Sequence, residues 1–338
     1  MTATLDPTPA PVGRPRDSRI DAEAAAAFTD VDILRELEPL VAREVDRHIA
    51  KHKDWHPHDY VPWAQGRNFP MLGGEAWEVG QSQLTEEIRT ALVVNLLTED
   101  NLPSYHHEIA TIFRGQGAWG EWVHRWTAEE GRHSVAMRDY LIVTRAVDPE
   151  ALERARMVHM STGFASDHGD QLLHGLAYVS FQELATRVAH RNTGHLSNEP
   201  LCDQLMQRIA LDENLHMLFY RNVLAGAMDL APDQTLAAVY DVVTKFQMPG
   251  HSIDGFARKS LQMALVGVYD ARQHLDDVLM PILRQWKVFE RTDFSPAGEA
   301  TRENLAEFLA ELEAQAAKFE QMRDARNERR ARKAEASN

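Results

Sequence analysis

The chain runs to 338 residues, 44% hydrophobic and 26% charged, enough apolar material for a sizeable packed core and enough to exclude wholesale disorder. A formal net charge of −15 argues against nucleic acid as a partner, and a single cysteine, Cys202, excludes both a disulfide framework and a multi-cysteine metal site. No apolar run approaches the roughly 20 residues of a membrane span, and the opening segment lacks the pattern of a secretory signal, so a cytoplasmic setting is expected.

Residues 1–28 are rich in proline and small side chains and read as a disordered arm. After it, apolar residues recur at three- and four-residue spacing almost to the end. This predicts helices near 30–52, 83–114, 117–144, 148–162, 168–193, 197–229, 232–247, 253–268, 273–290 and 297–330. Breaks are expected at Gly115-Gln-Gly117, Asp148-Pro149, Asn192-Thr-Gly194, Pro232, Pro249-Gly250 and Ser295-Pro296, and Pro103 and Pro281 should kink or interrupt their helices. Residues 54–82, with several Trp, Pro and Gly, read as a long irregular connection. No convincing alternating run predicts a strand, so the class is all-α. Residues 29–322 read as one helical domain. The tail 323–338 is basic, with a net charge of +3, and is expected to be a solvated helix end that frays. The longest central helices fall into two pairs joined by short turns, the signature of a four-helix bundle.

Three Glu-x-x-His patterns occur, Glu121/His124, Glu130/His133 and Glu213/His216. Only the last two follow another acid, Glu129 and Asp212, and lie in apolar helix faces. Glu121 is nine residues before Glu130, half a revolution away on a helix, and is expected to face solvent with His124. Two further carboxylates, Glu99 and Glu183, lie in apolar faces of the preceding helices, 31 and 30 residues before Glu130 and Glu213. The chain thus repeats one unit, a Glu on one helix and acid-Glu-x-x-His on the next. Four buried carboxylates without compensation would be very costly, and a pair of metal ions removes that cost. One Glu from each of two helices plus Glu-x-x-His from each of the other two is the ligand set of di-iron and di-manganese carboxylate bundles. Within each motif the i, i+3 spacing lets Glu and His reach one ion, with Glu130 and Glu213 bridging. The oxygen-rich set suits iron or manganese. Asp212 is expected to hold His133, and Glu129 to hold His216, through the ring nitrogen turned away from metal. His52, His56 and His58 are expected to be solvated or capping, and His106 and His107 to point to different sides of one helix.

The segments Thr98-Glu-Asp-Asn-Leu-Pro-Ser-Tyr105, Trp126-Thr-Ala-Glu-Glu-Gly-Arg-His133, Phe181-Gln-Glu-Leu-Ala-Thr186, Asp212-Glu-Asn-Leu-His216 and Trp55-His-Pro-His-Asp-Tyr-Val-Pro62 resemble the soluble acyl-[acyl-carrier-protein] desaturase family, in its actinobacterial branch. The likeness runs from about residue 30 to 290. It implies a ferritin-like four-helix bundle with additional flanking helices and two iron ions, manganese being possible as isolated. The implied ligands are Glu99, Glu130, His133, Glu183, Glu213 and His216, and the choice of Glu99 over its neighbour Asp100 rests on this resemblance. It also implies an electron-entry relay of Trp55, Asp212 and His133, and an active-site threonine at Thr186. Gly131 and Leu215 depart from residues common in the family without removing a ligand.

The implied reaction is O2-dependent insertion of a cis double bond into a fatty acyl chain on acyl carrier protein, with electrons from a ferredoxin-type donor and a homodimeric enzyme. Alternatives are another di-iron oxidase, such as an N-oxygenase or a radical-generating ribonucleotide reductase subunit, and a non-catalytic carrier-binding or iron-sequestering ferritin-like protein. The acyl chain needs a deep apolar channel, for which Tyr105, Met137, Phe181 and Met217 are candidate walls. Arg47, Lys51 and Lys53 form a candidate basic patch for the carrier.

Overall fold

A computed structural model describes residues 28–164 and 171–336. The expected arm lies outside the described residues except for Phe28, as does the expected helix start at 168. The described residues form helices and turns with no strand among them.

The longer helices in chain order are α1 (Asp30–Lys51), α2 (Glu86–Asp100), α3 (Leu102–Phe113), α4 (Gly117–Val143), α5 (Pro149–Thr162), α6 (Leu172–Leu196), α7 (Pro200–Leu230), α8 (Pro232–Thr244) and α9 (Phe256–Val266). A composite α10 follows, made of Ala271–Gln273, a π-helical turn His274–Leu279 and Met280–Gln285, and α11 (Pro296–Ala336) closes the chain. Helices α2, α4, α7 and α6 touch in a closed ring, the four-helix bundle. α1 lies against α4 and α7, α5 and α9 against α2, and α8 and α10 against α6. Among the described residues no helix is long and apolar enough to cross a membrane.

Local chemistry explains the boundaries. Thr29 caps α1 with a reciprocal capping box to Asp32. The expected interruption at Pro103 is real: the helix stops at Asn101 and α3 restarts with Pro103 in its first turn. Before Pro281 the chain widens into the π-helical turn, which absorbs a residue that has no N–H to bond back. The expected break at Asn192-Thr-Gly194 is corrected. α6 runs through it to Leu196, and the turn comes at Ser197-Asn198-Glu199, where Asn198 takes φ 53° and Glu199 caps α7. Gly194 is there for contact: a Cβ on it would sit 2.8 Å from Met206 Cβ and 3.2 Å from Asp203 Cα.

Residues 54–82 contain only single 3-10 turns, as the composition suggested. Buried Arg145 holds them down, donating to the carbonyls of Asn68, Glu75 and Ala76 and to Gln81, while Trp77 donates back to the Arg145 carbonyl. Trp55, near the start of this stretch, is itself buried against the bundle and donates to Asp212.

The bundle interior is layered. One apolar cluster takes in Trp119–Trp126 of α4 and Met217–Met228 of α7; the other takes in Ala136–Leu141 of α4 and Cys202–Ile209 of α7. Between them lies a polar layer at Glu129, Glu130, His133, Asp212, Glu213 and His216, all buried. Gly to Ala in a helix ordinarily stabilises, but at Gly194 the close α6–α7 approach reverses the sign. We expect Gly194→Ala to cost about 1–3 kcal/mol in denaturant unfolding, whereas a gain would show that the contact is slack.

Candidate metal centre

Each bundle helix delivers one or more acids to the polar layer. α2 ends its last turn at Glu99 and Asp100, which face different ways. Asp100 is turned out to Arg156 of α5, which holds both its oxygens at 2.5 and 3.0 Å. Glu99 is left facing inward, so packing distinguishes the two acids. Glu99, Glu130, His133 and Glu213 each offer an atom within 4.8 Å of the others, and so do Glu130, Glu183, Glu213 and His216. Glu130 and Glu213 belong to both groups. His133 Nδ1 lies 3.2 Å from Glu213 Oε1, 3.4 Å from Glu130 Oε2 and 3.6 Å from Glu99 Oε2. His216 Nδ1 lies 2.7 Å from Glu130 Oε1 and 3.5 Å from Glu183 Oε2.

Five atoms turned into this space make no hydrogen bond of acceptable geometry: His133 Nδ1, His216 Nδ1, Glu130 Oε1, Glu183 Oε2 and Glu213 Oε1. Buried polar atoms ordinarily find partners. Unpaired nitrogen and oxygen donors converging on two centres are the donor set that two hard or borderline cations require, so the residues fit a two-ion group.

The outer faces of His133 and His216 each meet an acid, His216 within hydrogen-bonding distance and His133 at a longer one. Glu129 receives His216 Nε2 at 3.0 Å, and Asp212 lies 3.5 Å from His133 Nε2. Arg125 and Arg208, each four residues before its acid on the same helix, ion-pair with Glu129 and Asp212. The arms then differ. Trp55 donates to Asp212 at 2.7 Å, with the Arg132 guanidinium 5.1 Å from its ring centre. Glu129 instead meets His48 Nε2 at 2.9 Å and His52 Nδ1 at 3.3 Å. Thr186 has its hydroxyl within 3.1 Å of Glu213 Oε2 and of two carbonyls of its own helix, Gln182 and Glu183.

Electrostatics follow from crowding. Burial raises the carboxyls of Glu130 and Glu183, and repulsion from neighbouring carboxylates adds to it. Burial disfavours charge on His133 and His216, yet the carboxylates around them hold both well above the usual histidine value. Burial also opposes ionisation of Glu129 and Asp212, but hydrogen bonds from the histidines keep both well below the usual carboxylate range.

A narrow cavity of about 60 Å³ opens beside Glu99 and Glu130, walled by Leu102, Tyr105, Ile109, Ile112, Phe164 and Val179 among others. A second, walled by Val94, Met248, Gly250, Phe256, Met263 and Tyr269, shares Thr98 and Thr186 with the first. Of the expected channel residues only Tyr105 lines this passage. Met137 and Phe181 are core, Phe181 packing edge-on to Trp286, and Met217 borders a groove on the other side of α6. No α1 residue lines either cavity, so the patch at Arg47, Lys51 and Lys53 lies off the passage, and Arg47 is paired with Glu44.

Glu121 and His124 are exposed as expected, and so are His56 and His58. Of the two roles expected for His52, the capping one holds, since it is the C-cap of α1, and the solvated one is corrected, because its ring is buried beside Glu129. His48 and His190 were missed: both rings are buried, and His190 Nε2 lies 2.9 Å from Glu99 Oε1. Arg125 and Arg208 also went unnoticed, although the spacing Arg-x3-acid-Glu-x2-His is visible twice in the sequence.

A sequence model of the family described as fatty acid desaturase matches residues 29–337. A Mycobacterium tuberculosis protein with the provisional name acyl-[acyl-carrier-protein] desaturase DesA1 is 49% identical over 91% of this chain and 93% of its own length. The spinach (Spinacia oleracea) protein named stearoyl-[acyl-carrier-protein] 9-desaturase is 27% identical over 87% of this chain and 77% of its own. The X-ray structure of DesA2 from Mycobacterium tuberculosis, named with the same provisional activity, superposes with a TM-score of 0.65 at 32% identity, covering 77% of this chain and 97% of that one.

To hold metal these six side chains would have to shed protons, and four of them, Glu130, His133, Glu183 and His216, have proton affinities held above normal. Metal uptake should therefore release protons, and affinity should rise with pH. Titration calorimetry with iron(II) in two buffers of different ionisation enthalpy checks this; heats independent of buffer would contradict the arrangement.

Proposed function

The chain belongs to the fatty acid desaturase family, and on that footing we propose that it removes two hydrogens from a saturated fatty acyl chain carried as a thioester on acyl carrier protein, leaving a cis double bond. Membership and its relatives' names make it an oxidoreductase. The observation that carries the finer reading is a pair of apolar cavities, one of them beside Glu99 and Glu130, that share Thr98 and Thr186 in their walls.

Glu99, Glu130, His133, Glu183, Glu213 and His216 would hold two iron ions, or manganese as isolated, and such a pair supplies the O2 activation that unactivated C–H bonds require. The balance is one acyl chain, O2, two electrons and two protons giving the olefin and two waters. The protein's own part is positioning. An extended chain threads the two cavities, and the waist at Thr98 and Thr186 puts one mid-chain bond beside the carboxylates while apolar walls exclude bulk water. The Thr186 hydroxyl, at the boundary between passage and Glu213, can give its single proton to that carboxylate or to its own helix. On the far side, Trp55 donates to Asp212, which lies 3.5 Å from His133 Nε2, and this succession would serve as a route for electrons from a ferredoxin-type donor. Substrate and electrons would then approach from opposite sides. A homodimer in the cytoplasm completes the proposal by analogy with the family.

Incubation with a saturated acyl carrier substrate, a reducing system and O2, followed by gas chromatography of the released acyl groups, should show a monounsaturated product; none from iron-loaded protein would contradict the proposal. Glu183→Ala should lower the rate at least about 100-fold. A side chain at Gly250 would press on Phe256, Ile253 and Thr98. Gly250→Val should therefore shift the double bond or raise KM while leaving iron content unchanged.

A further inference from the structure

The two unshared carboxylates are each gripped from outside by a ring N–H borne on a helix other than their own. Trp126 Nε1 of α4 donates to Glu183 Oε1 at 2.9 Å, and His190 Nε2 of α6 meets Glu99 Oε1 at the same distance. In both cases the other oxygen is the one turned to the centre: Glu183 Oε2 lies 3.5 Å from His216 Nδ1, and Glu99 Oε2 lies 3.6 Å from His133 Nδ1. A buried ring nitrogen on Oε1 fixes the rotation of each carboxylate about its terminal bond and keeps Oε2 as the oxygen nearer the histidine. His190 is 1% exposed, so no water competes for its Nε2. It also sits 3.8 Å from Glu213 Oε1, which places its ring between an unshared and a bridging carboxylate.

Building on the two-ion reading above, we propose that His190 is a positioning residue that pins Glu99 through Oε1, so that the carboxylate is held turned toward the ion that His133 would hold, and thereby sets the affinity of that one position. Trp126 does the same for the ion held by His216. Its indole is fixed as a donor, whereas the imidazole of His190 must present Nε2–H, the tautomer that leaves Nδ1 as an acceptor. Nδ1 is buried without a hydrogen-bond partner, so the Nε2 contact with Glu99 is what orients the ring. Without the donor, Glu99 is free to rotate about its terminal bond, and the first ion loses a defined geometry while the second keeps its own.

The test is equilibrium titration of the full chain with iron(II), read by bound iron per chain, together with the visible absorption of the cobalt(II) form. The wild type should take two ions. His190→Leu should keep one at wild-type affinity and bind the other about 10- to 100-fold more weakly, with a change confined to part of the cobalt spectrum. His190→Gln, which keeps an N–H in the same region, should restore most of the second affinity. Circular dichroism monitors folding, and Trp126→Phe serves as the counterpart, weakening the opposite position. Two ions bound by His190→Leu with unchanged affinity and spectrum would overturn the role given to His190 while leaving the two-ion centre standing. Equal loss at both positions, or no rescue by Gln, would overturn it as well. A wild-type chain that binds no ion at the centre would overturn both readings.

Discussion

Four carboxylates, Glu99, Glu130, Glu183 and Glu213, share a space between two apolar layers where solvent cannot screen them. Removing each charge from water costs several kcal/mol, and their mutual repulsion adds to it. The carboxylates in turn favour the charged forms of His133 and His216, which offsets only part of that charge. The remainder of the bundle is arranged around this constraint. Each ligand histidine is backed by an acid, each backing acid by an arginine, and each unshared carboxylate by a ring N–H. Such a layer is a poor way to stabilise a helical bundle and a good way to capture two cations.

The same constraint separates the functions of the helices. α2, α3, α6 and α9, with one face of α4, wall the two cavities, and no residue of α1 or α7 lines either. α1, α7 and the loop bearing Trp55 supply the outer support through His48, Asp212 and Arg208. The pseudo-symmetric bundle is thus asymmetric in its surroundings. The side of His133 leads to an indole, and the side of His216 leads to a pair of histidines. Two ions in such a centre have the same kind of inner donors and different outer ones, which is the usual means of making chemically similar positions behave differently.

Much of this was legible in the sequence, for a physical reason. Ligands on one helix obey the 3.6-residue period, so Glu130/His133 and Glu213/His216 announce themselves, and the thirty-residue step to Glu99 and Glu183 reflects two hairpins of similar length. The contact of Glu129 with His216 followed from adjacency, whereas Asp212 sits near His133 at 3.5 Å without a hydrogen bond, its Oδ2 taken by Trp55. His48 and His190 were invisible because their partners, Glu129 and Glu99, are 81 and 91 residues away and no helical period links them. Gly194 misled for the opposite reason: glycine marks helix ends when the backbone needs freedom, but there it marks a close approach of α6 to α7. Met137, Phe181 and Met217, candidate walls by sequence, lie in the core clusters, because an apolar residue near a site on a helix faces core as readily as cavity.

The most direct check on the central claim is diffraction from iron-loaded crystals at wavelengths either side of the iron absorption edge. The account predicts two anomalous peaks about 3.5–4 Å apart, one beside His133 and Glu99, the other beside His216 and Glu183, with Glu130 and Glu213 reaching both. A single peak, or iron found only at other side chains, would contradict it.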